Sequence, residues 1–254
     1  MKLSLVRLSF IAIISISLIR CIEPSGPQIQ PEINIYEGDP VKPADILTNN
    51  TYHHLVFNTT TAQTFGPSGK AIDNFRSFVS SRTNKAVHMR YDTISSTGGE
   101  PMDINDLKTF ERLHRRDTTN GDTIFIWLAF LDTEFKPDPK PDVIFGTQYG
   151  RTSIAIFVKT LNKYTLPDMV SRFTLETFTL EHEFSHLLGL TNNGTAMASP
   201  HEDAEHKGHC NNDQCMMYWR AKDSIKLVDL LGEKDEIPIL DAKCIADLQA
   251  AGGK

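Results

Sequence analysis

The chain has 254 residues, 40% of them hydrophobic and 23% charged, which suits one sizeable globular domain with a small appendage. A formal charge of −6 and the lack of any basic run exclude the electrostatic footprint of a nucleic-acid-binding protein.

The N-terminus differs in kind from the rest. Lys2 and Arg7 precede an apolar stretch, FIAIISISLI at 10–19, which then meets Arg20 and Cys21. Only 12 residues separate Arg7 from Arg20, whereas a membrane-spanning helix needs about 20. A positive start and a short apolar core read as an export signal over residues 1–20. Cys21 directly after that core resembles the lipidated cysteine of bacterial lipoproteins, although Arg20 stands where those signals usually carry a small residue. The resemblance implies a lipid anchor at Cys21 as the chain's one link to a membrane. It also implies a periplasmic or cell-surface location, or secretion where no lipid is added. The following stretch, IEPSGPQIQPEINIYEGDPVKP, holds five prolines and little apolar periodicity. Residues 21–47 are therefore read as anchor and extended tether, and 48–254 as the folded domain.

In chain order, TYHHLVFNTT (51–60) is the expected first strand. SGKAIDNFRSFVSSRTN (68–84) places Ile72, Phe75, Phe78 and Val79 at helical spacing. AVHMRYDTI (86–94) alternates like a half-buried strand, and DINDLKTFERLHRR (103–116) reads as a helix capped by Asp103. TIFIWLAFLD (123–132) is almost wholly apolar, as a central strand is. Extended runs at 143–150 and 152–160 flank Gly150-Arg151, and a long helix spans 166–190. The remainder is expected to be mostly irregular until a short helix at 243–251. This order predicts an α/β fold with a mixed sheet packed on helices.

The long helix carries HEFSHLLG (182–189). His182 and His186 are four residues apart, so they project from one side of a helix and can hold one metal ion. Glu183 then lies where its carboxylate can take a proton from a water activated by that ion, and later pass it to a leaving amine. Gly189 can end the helix with a positive φ and turn the chain back towards the metal. A third His at the usual offset would stand at 192, but that residue is Asn192, a poor zinc ligand. The segment SPHEDAEHKGHCNNDQCMMYW (199–219) supplies other donors: His201, His206 and His209, with the carboxylates of Glu202 and Glu205.

Among the cysteines other than Cys21, Cys210 and Cys215 enclose four residues, a gap that a disulfide closes if the loop bends back. Cys244 is then the odd one, read as a small buried hydrophobe. His53, His54, His88 and His114 carry no partner pattern, and Trp127 and Trp219 read as core or site-wall residues. Asn49, Asn58 and Asn193 form N-x-T sequons that matter only in a glycosylating pathway.

Over residues 178–219 the chain resembles the metzincin metallopeptidases. Within that clan, Gly208-His209-Cys210, four residues, then Cys215-Met216-Met217 is most similar to the archaemetzincins. The resemblance implies a metzincin-like fold with an active-site helix and an irregular C-terminal part. It implies one catalytic zinc ion held by His182, His186 and His209, the last displaced by an insertion over 192–208. It implies a methionine turn at Met217, with Met216 the alternative, and Tyr218 as a stabiliser of the transition state. It further implies a peptide or protein substrate, added as an extended strand along GTQYG (146–150), and a monomer is expected. The archaemetzincins complete a second zinc site with further downstream cysteines. Here only Cys244 follows, so the Cys210–Cys215 disulfide is the simpler expectation. A surface protein that keeps the fold for binding, or a metal-binding lipoprotein, is the alternative to a hydrolase. Glu183 speaks against both, because a purely structural site needs no base.

Overall fold

The computed structural model describes residues 40–63, 65–136, 143–165, 170–219, 227–228, 231 and 236–254. Residues 1–20, read above as an export signal, and Cys21 lie outside the described residues. Among the described residues no helix is long and apolar enough to cross a membrane.

Five strands form one mixed sheet in the order β2-β1-β3-β5-β4. They are β1 (His54–Ala62), β2 (Ala86–Ile94), β3 (Thr123–Leu131), β4 (Gly146–Tyr149) and β5 (Ser153–Phe157). β1 pairs in parallel with both β2 and β3, and β3 in parallel with β5. β4 alone runs antiparallel, against β5, and closes one edge. The fold is thus mixed α/β, as expected.

Side-chain period explains the layering. On β3, Ile124, Ile126, Leu128 and Phe130 join one hydrophobic core, while Trp127, Ala129 and Leu131 join the other. A strand buried on both faces belongs inside the sheet, which is why its sequence shows no polar alternation. β2 does alternate between half-buried and exposed residues, and it lies at the opposite edge.

Helix α1 (Pro43–Leu47) precedes the sheet, and α2 (Gly69–Arg82) and α3 (Ile104–His114) connect its parallel strands. The chain moves from β1 outwards to β2, then back across to β3. Right-handed crossovers in opposite directions put α2 and α3 on opposite faces, and the two cores confirm it: α2 gives Phe75 and Val79 to one, α3 gives Leu107 to the other. Asp103 caps α3 as expected, its carboxylate accepting from the N–H groups of Asn105 and Asp106.

Two segments depart from the sequence reading. Pro43–Leu47, assigned to the tether, is helical, with proline in its first turn and Ile46 and Leu47 fully buried. The folded body therefore begins upstream of residue 48. Residues 158–160, read as the end of a strand, open helix α4 (Val158–Lys163), which turns Val158 and Leu161 into the core. Helix α5 (Arg172–Leu187) starts at Ser171, whose hydroxyl accepts from Thr174 N. Helix α6 (Ala242–Ala250) ends the fold, capped by Asp241.

α5 lies on the same face as α2. Phe57 of β1, Phe75 of α2 and Phe184 of α5 meet with ring centroids 5.1 to 5.7 Å apart, all three fully buried. Burying each ring is worth about 1.5–3 kcal/mol, so this cluster fixes α5 firmly against the sheet.

Candidate active site

α5 and β4 run alongside one another and form the two walls of a cleft of ≈ 550 Å³. Gly146 permits their close approach, since a Cβ there would sit 2.7 Å from Thr179 Cγ2. Phe145 and Phe178 mark one end, and His182, Glu183 and His186 line the floor. Gly208 and His209 close the far side.

α5 places His182 and His186 on one face, with ring centroids 4.8 Å apart. Gly189 then takes φ 75°, and a Cβ there would meet Thr195 N at 2.6 Å and Pro43 Cγ at 2.8 Å. Only glycine suits that turn. Asn192 also adopts a positive φ, 65°, and lines the cleft without joining the histidines.

The chain returns through an irregular hairpin. Asp203 N donates to His209 O at 2.7 Å, and Asn211 N to His201 O at 2.8 Å. This brings His209 to the pair, and the ligand atoms of His182, His186 and His209 all lie within 4.8 Å of one another. The other two imidazoles go elsewhere. His201 is buried against Asp247, with Nε2 3.4 Å from Oδ2. His206 bonds to Asp203 and stacks on Trp219 at 4.0 Å between centroids. Glu202 lines the cleft, with its carboxylate taken up by Gly208 N and Lys207, while Glu205 is exposed.

The donor set fits a zinc ion. A carbonyl only accepts, so Nδ1 of His182 carries the proton it donates to Met216 O at 3.0 Å. Nδ1 of His209 likewise donates to Lys207 O at 3.1 Å. Both rings are thereby held in the tautomer that leaves an Nε2 lone pair for a metal. Three neutral nitrogens beside an open cleft match the three-ligand arrangement of catalytic zinc, which keeps one position for substrate or water.

Glu183 Oε2 accepts from the backbone N–H of Gln148 at 2.6 Å. The carboxylate is thus oriented by the edge strand opposite. No side-chain signal in the sequence points to this contact, because the donor is main chain. Met216 and Met217 are both buried, and His182 bonds to the Met216 carbonyl. Tyr218 is half-buried beside Trp219 and is not among the residues that line the cleft.

The cysteines correct one expectation. Cys210, Cys215 and Cys244 are free thiols, so the Cys210–Cys215 disulfide is not formed. Cys215 Sγ lies 3.7 Å from Cys244 Sγ, and Cys210 Sγ faces Asp241 Oδ2 at 3.6 Å. The four residues bring their donor atoms within 4.8 Å of one another. Tetrahedral zinc with bonds of about 2.3 Å to sulfur puts its sulfurs roughly 3.8 Å apart, so this group too fits a zinc ion. Hydrogen bonds from the Cys210 and Cys244 thiols, with those from the N–H groups of Asp241 and Met217, lower the Cys215 thiol well below its ordinary range. Asp241 was missed in the sequence. Its spacing from Cys244, three residues on across the first turn of α6, was the available signal.

His209 and Cys210, adjacent in sequence, therefore serve opposite sides: one imidazole turns to the cleft and the next thiol to the cysteine group. Cys210 N donates to Met217 O at 2.7 Å, tying both groups to the same methionine segment.

No protein-family model matches the chain, and no curated protein matches it. Two solved structures are similar in fold. An archaemetzincin from Methanopyrus kandleri is 14% identical with a TM-score of 0.48, over 80% of this chain and 96% of that one. A zinc-dependent peptidase from Methanocorpusculum labreanum is 16% identical with a TM-score of 0.45, over 76% of this chain and 99% of that one.

Proposed function

We propose that the chain is a zinc-dependent peptidase that hydrolyses peptide bonds with water, using Glu183 as general base. One observation carries this reading: three imidazoles and one carboxylate that is not their fellow ligand converge on the floor of an open cleft walled by an edge strand.

His182, His186 and His209 would hold the ion, and zinc there would supply Lewis acidity, polarising a water and the scissile carbonyl. Glu183 takes a proton from the attacking water and delivers it to the nitrogen of the leaving amine. The Gln148 N–H keeps that carboxylate aimed while the proton comes and goes. Phe145 O accepts from Phe157 N, so by alternation the main-chain groups of Gly146 and Gln148 face the cleft. With the Gln148 N–H given to Glu183, the Gly146 N–H and the Gly146 and Gln148 carbonyls offer a substrate backbone the hydrogen bonds of an added strand. The same reading keeps export and a lipid anchor at Cys21 as proposals from the N-terminal sequence.

A mixed peptide pool incubated with the purified protein tests this directly. Mass spectrometry is expected to show new peptide termini with wild type, none after chelation of the metal, and their return with added zinc. A pool left intact by zinc-loaded wild type would refute the reading.

The cysteine group adds a second ion to the proposal, held by Cys210, Cys215, Cys244 and Asp241 for structure and not for chemistry. Four protein donors leave no open position. Two zinc ions per chain are then expected, falling to one in Cys244→Ala, with a melting temperature lower by several degrees. One ion in both proteins would remove the second site.

A further inference from the structure

The cleft does not end at the histidines. A second pocket of ≈ 390 Å³ shares Gln148, His186 and Asn193 with it and continues past them to Pro43, Gly150 and Arg151. The two walls keep step along this path. Gly146 lies against Thr179, Gln148 bonds to Glu183, and Arg151 shares the second pocket with His186 and Leu187. The trough is therefore ordered from an apolar end at Phe145 and Phe178, across the imidazoles, to a cationic end at Arg151.

Arg151 sits on the turn between β4 and β5, after Gly150 at φ 62°. It is exposed, and its guanidinium donates one long bond, to Val41 O at 3.3 Å. Among the described residues no carboxylate pairs with it, and apart from His186 it is the one ionisable side chain that lines this pocket. A guanidinium has five N–H donors in a planar fork that matches a carboxylate. Arg151 therefore has most of its donors available, on the turn just past the end of β4.

We infer that this second pocket is a specificity subsite that takes an acidic side chain of the peptide substrate, with Arg151 as its recognition residue. The inference rests on the peptidase reading and adds a substrate class to it. Gln148, beside Glu183, and Arg151 are three residues apart, with Gly150 and Arg151 on the turn that follows β4, so the acidic residue falls within two or three positions of the scissile bond, on the His186 side. An apolar residue occupies the opposite end, between Phe145 and Phe178.

The test maps cleavage sites in a peptide library for wild type, Arg151→Ala and Arg151→Glu. It also measures binding of uncleaved acidic and basic peptides to Glu183→Ala, with and without Arg151→Glu. Arg151 is exposed on a turn, so both variants should match wild type in melting temperature. Wild type is expected to favour Asp or Glu over Lys at one position by about 5- to 10-fold in kcat/KM. Arg151→Ala should level that preference, and Arg151→Glu should invert it towards Lys and Arg, with peptide binding following the same order. Cleavage at the same sites with the same profile in Arg151→Glu would overturn the subsite and leave the peptidase standing. Absence of cleavage by wild type, with no acidic preference in binding, would overturn both.

Discussion

Glu183→Gln is expected to keep its zinc and lose roughly 10²- to 10⁴-fold in kcat/KM, the usual worth of a positioned acid–base group. The substitution is close to isosteric. A glutamine oxygen still accepts from the Gln148 N–H that now reaches Glu183 Oε2 at 2.6 Å, so the wall of the cleft keeps its shape. The amide cannot take up a proton, which removes general-base chemistry and little else. Metal content measured beside steady-state kinetics on one cleaved peptide separates this from loss of the ion. A loss below about tenfold, with zinc retained, would place the base on another residue.

The second large effect is on stability. Arg115 is buried at the C-cap of α3, and its guanidinium donates to Glu111 Oε1 at 2.7 Å, to Phe125 O at 2.6 Å and to Thr152 Oγ1 at 3.2 Å. Ser153 Oγ donates to the same Glu111 oxygen at 2.7 Å. One side chain thus joins α3 to the starts of β3 and β5. Arg115→Met would leave the Glu111 charge unpaired and take the guanidinium from two main-chain acceptors, Phe125 O and Thr152 O, in the interior. A single removal from such a buried pair costs about 3–5 kcal/mol. The double variant Arg115→Met with Glu111→Leu should cost less than the sum of its singles, because no charge is left alone. Urea denaturation of the four proteins measures this. A single-variant cost below about 1 kcal/mol would mean that the network is hydrated.

How far the sequence could be read depends on the range of the forces involved. β2 and the Asp103 cap follow from rules that act within a few residues, namely a period of two and a side chain accepting from N–H groups two and three positions on. His182, Glu183 and His186 share one helix, so spacing alone puts them on a common face. Val158–Lys163 escaped because an apolar, β-branched run favours a strand locally, and packing of Val158 and Leu161 decided otherwise. Pro43–Leu47 escaped because it follows a proline-rich stretch, although a proline at the first helical position is itself a start signal. Choosing His209 over His201 and His206 rested on family resemblance, since a loop of that length can present any of the three. The structure separates them by what holds each ring: Lys207 O for His209, Asp247 and Cys244 for His201, Asp203 and Trp219 for His206. The cysteine group was hidden for another reason. A disulfide and a metal site share the same short-range spacing, and the fourth donor, Asp241, also caps a helix.

Anomalous diffraction at the zinc edge from crystals of the zinc-loaded protein tests the central claim most directly. The account predicts a peak bonded to the Nε2 atoms of His182, His186 and His209 at about 2.0–2.1 Å, with Glu183 outside bonding distance. A peak bonded instead to His201, His206 or Glu202, or no peak on α5, would contradict it.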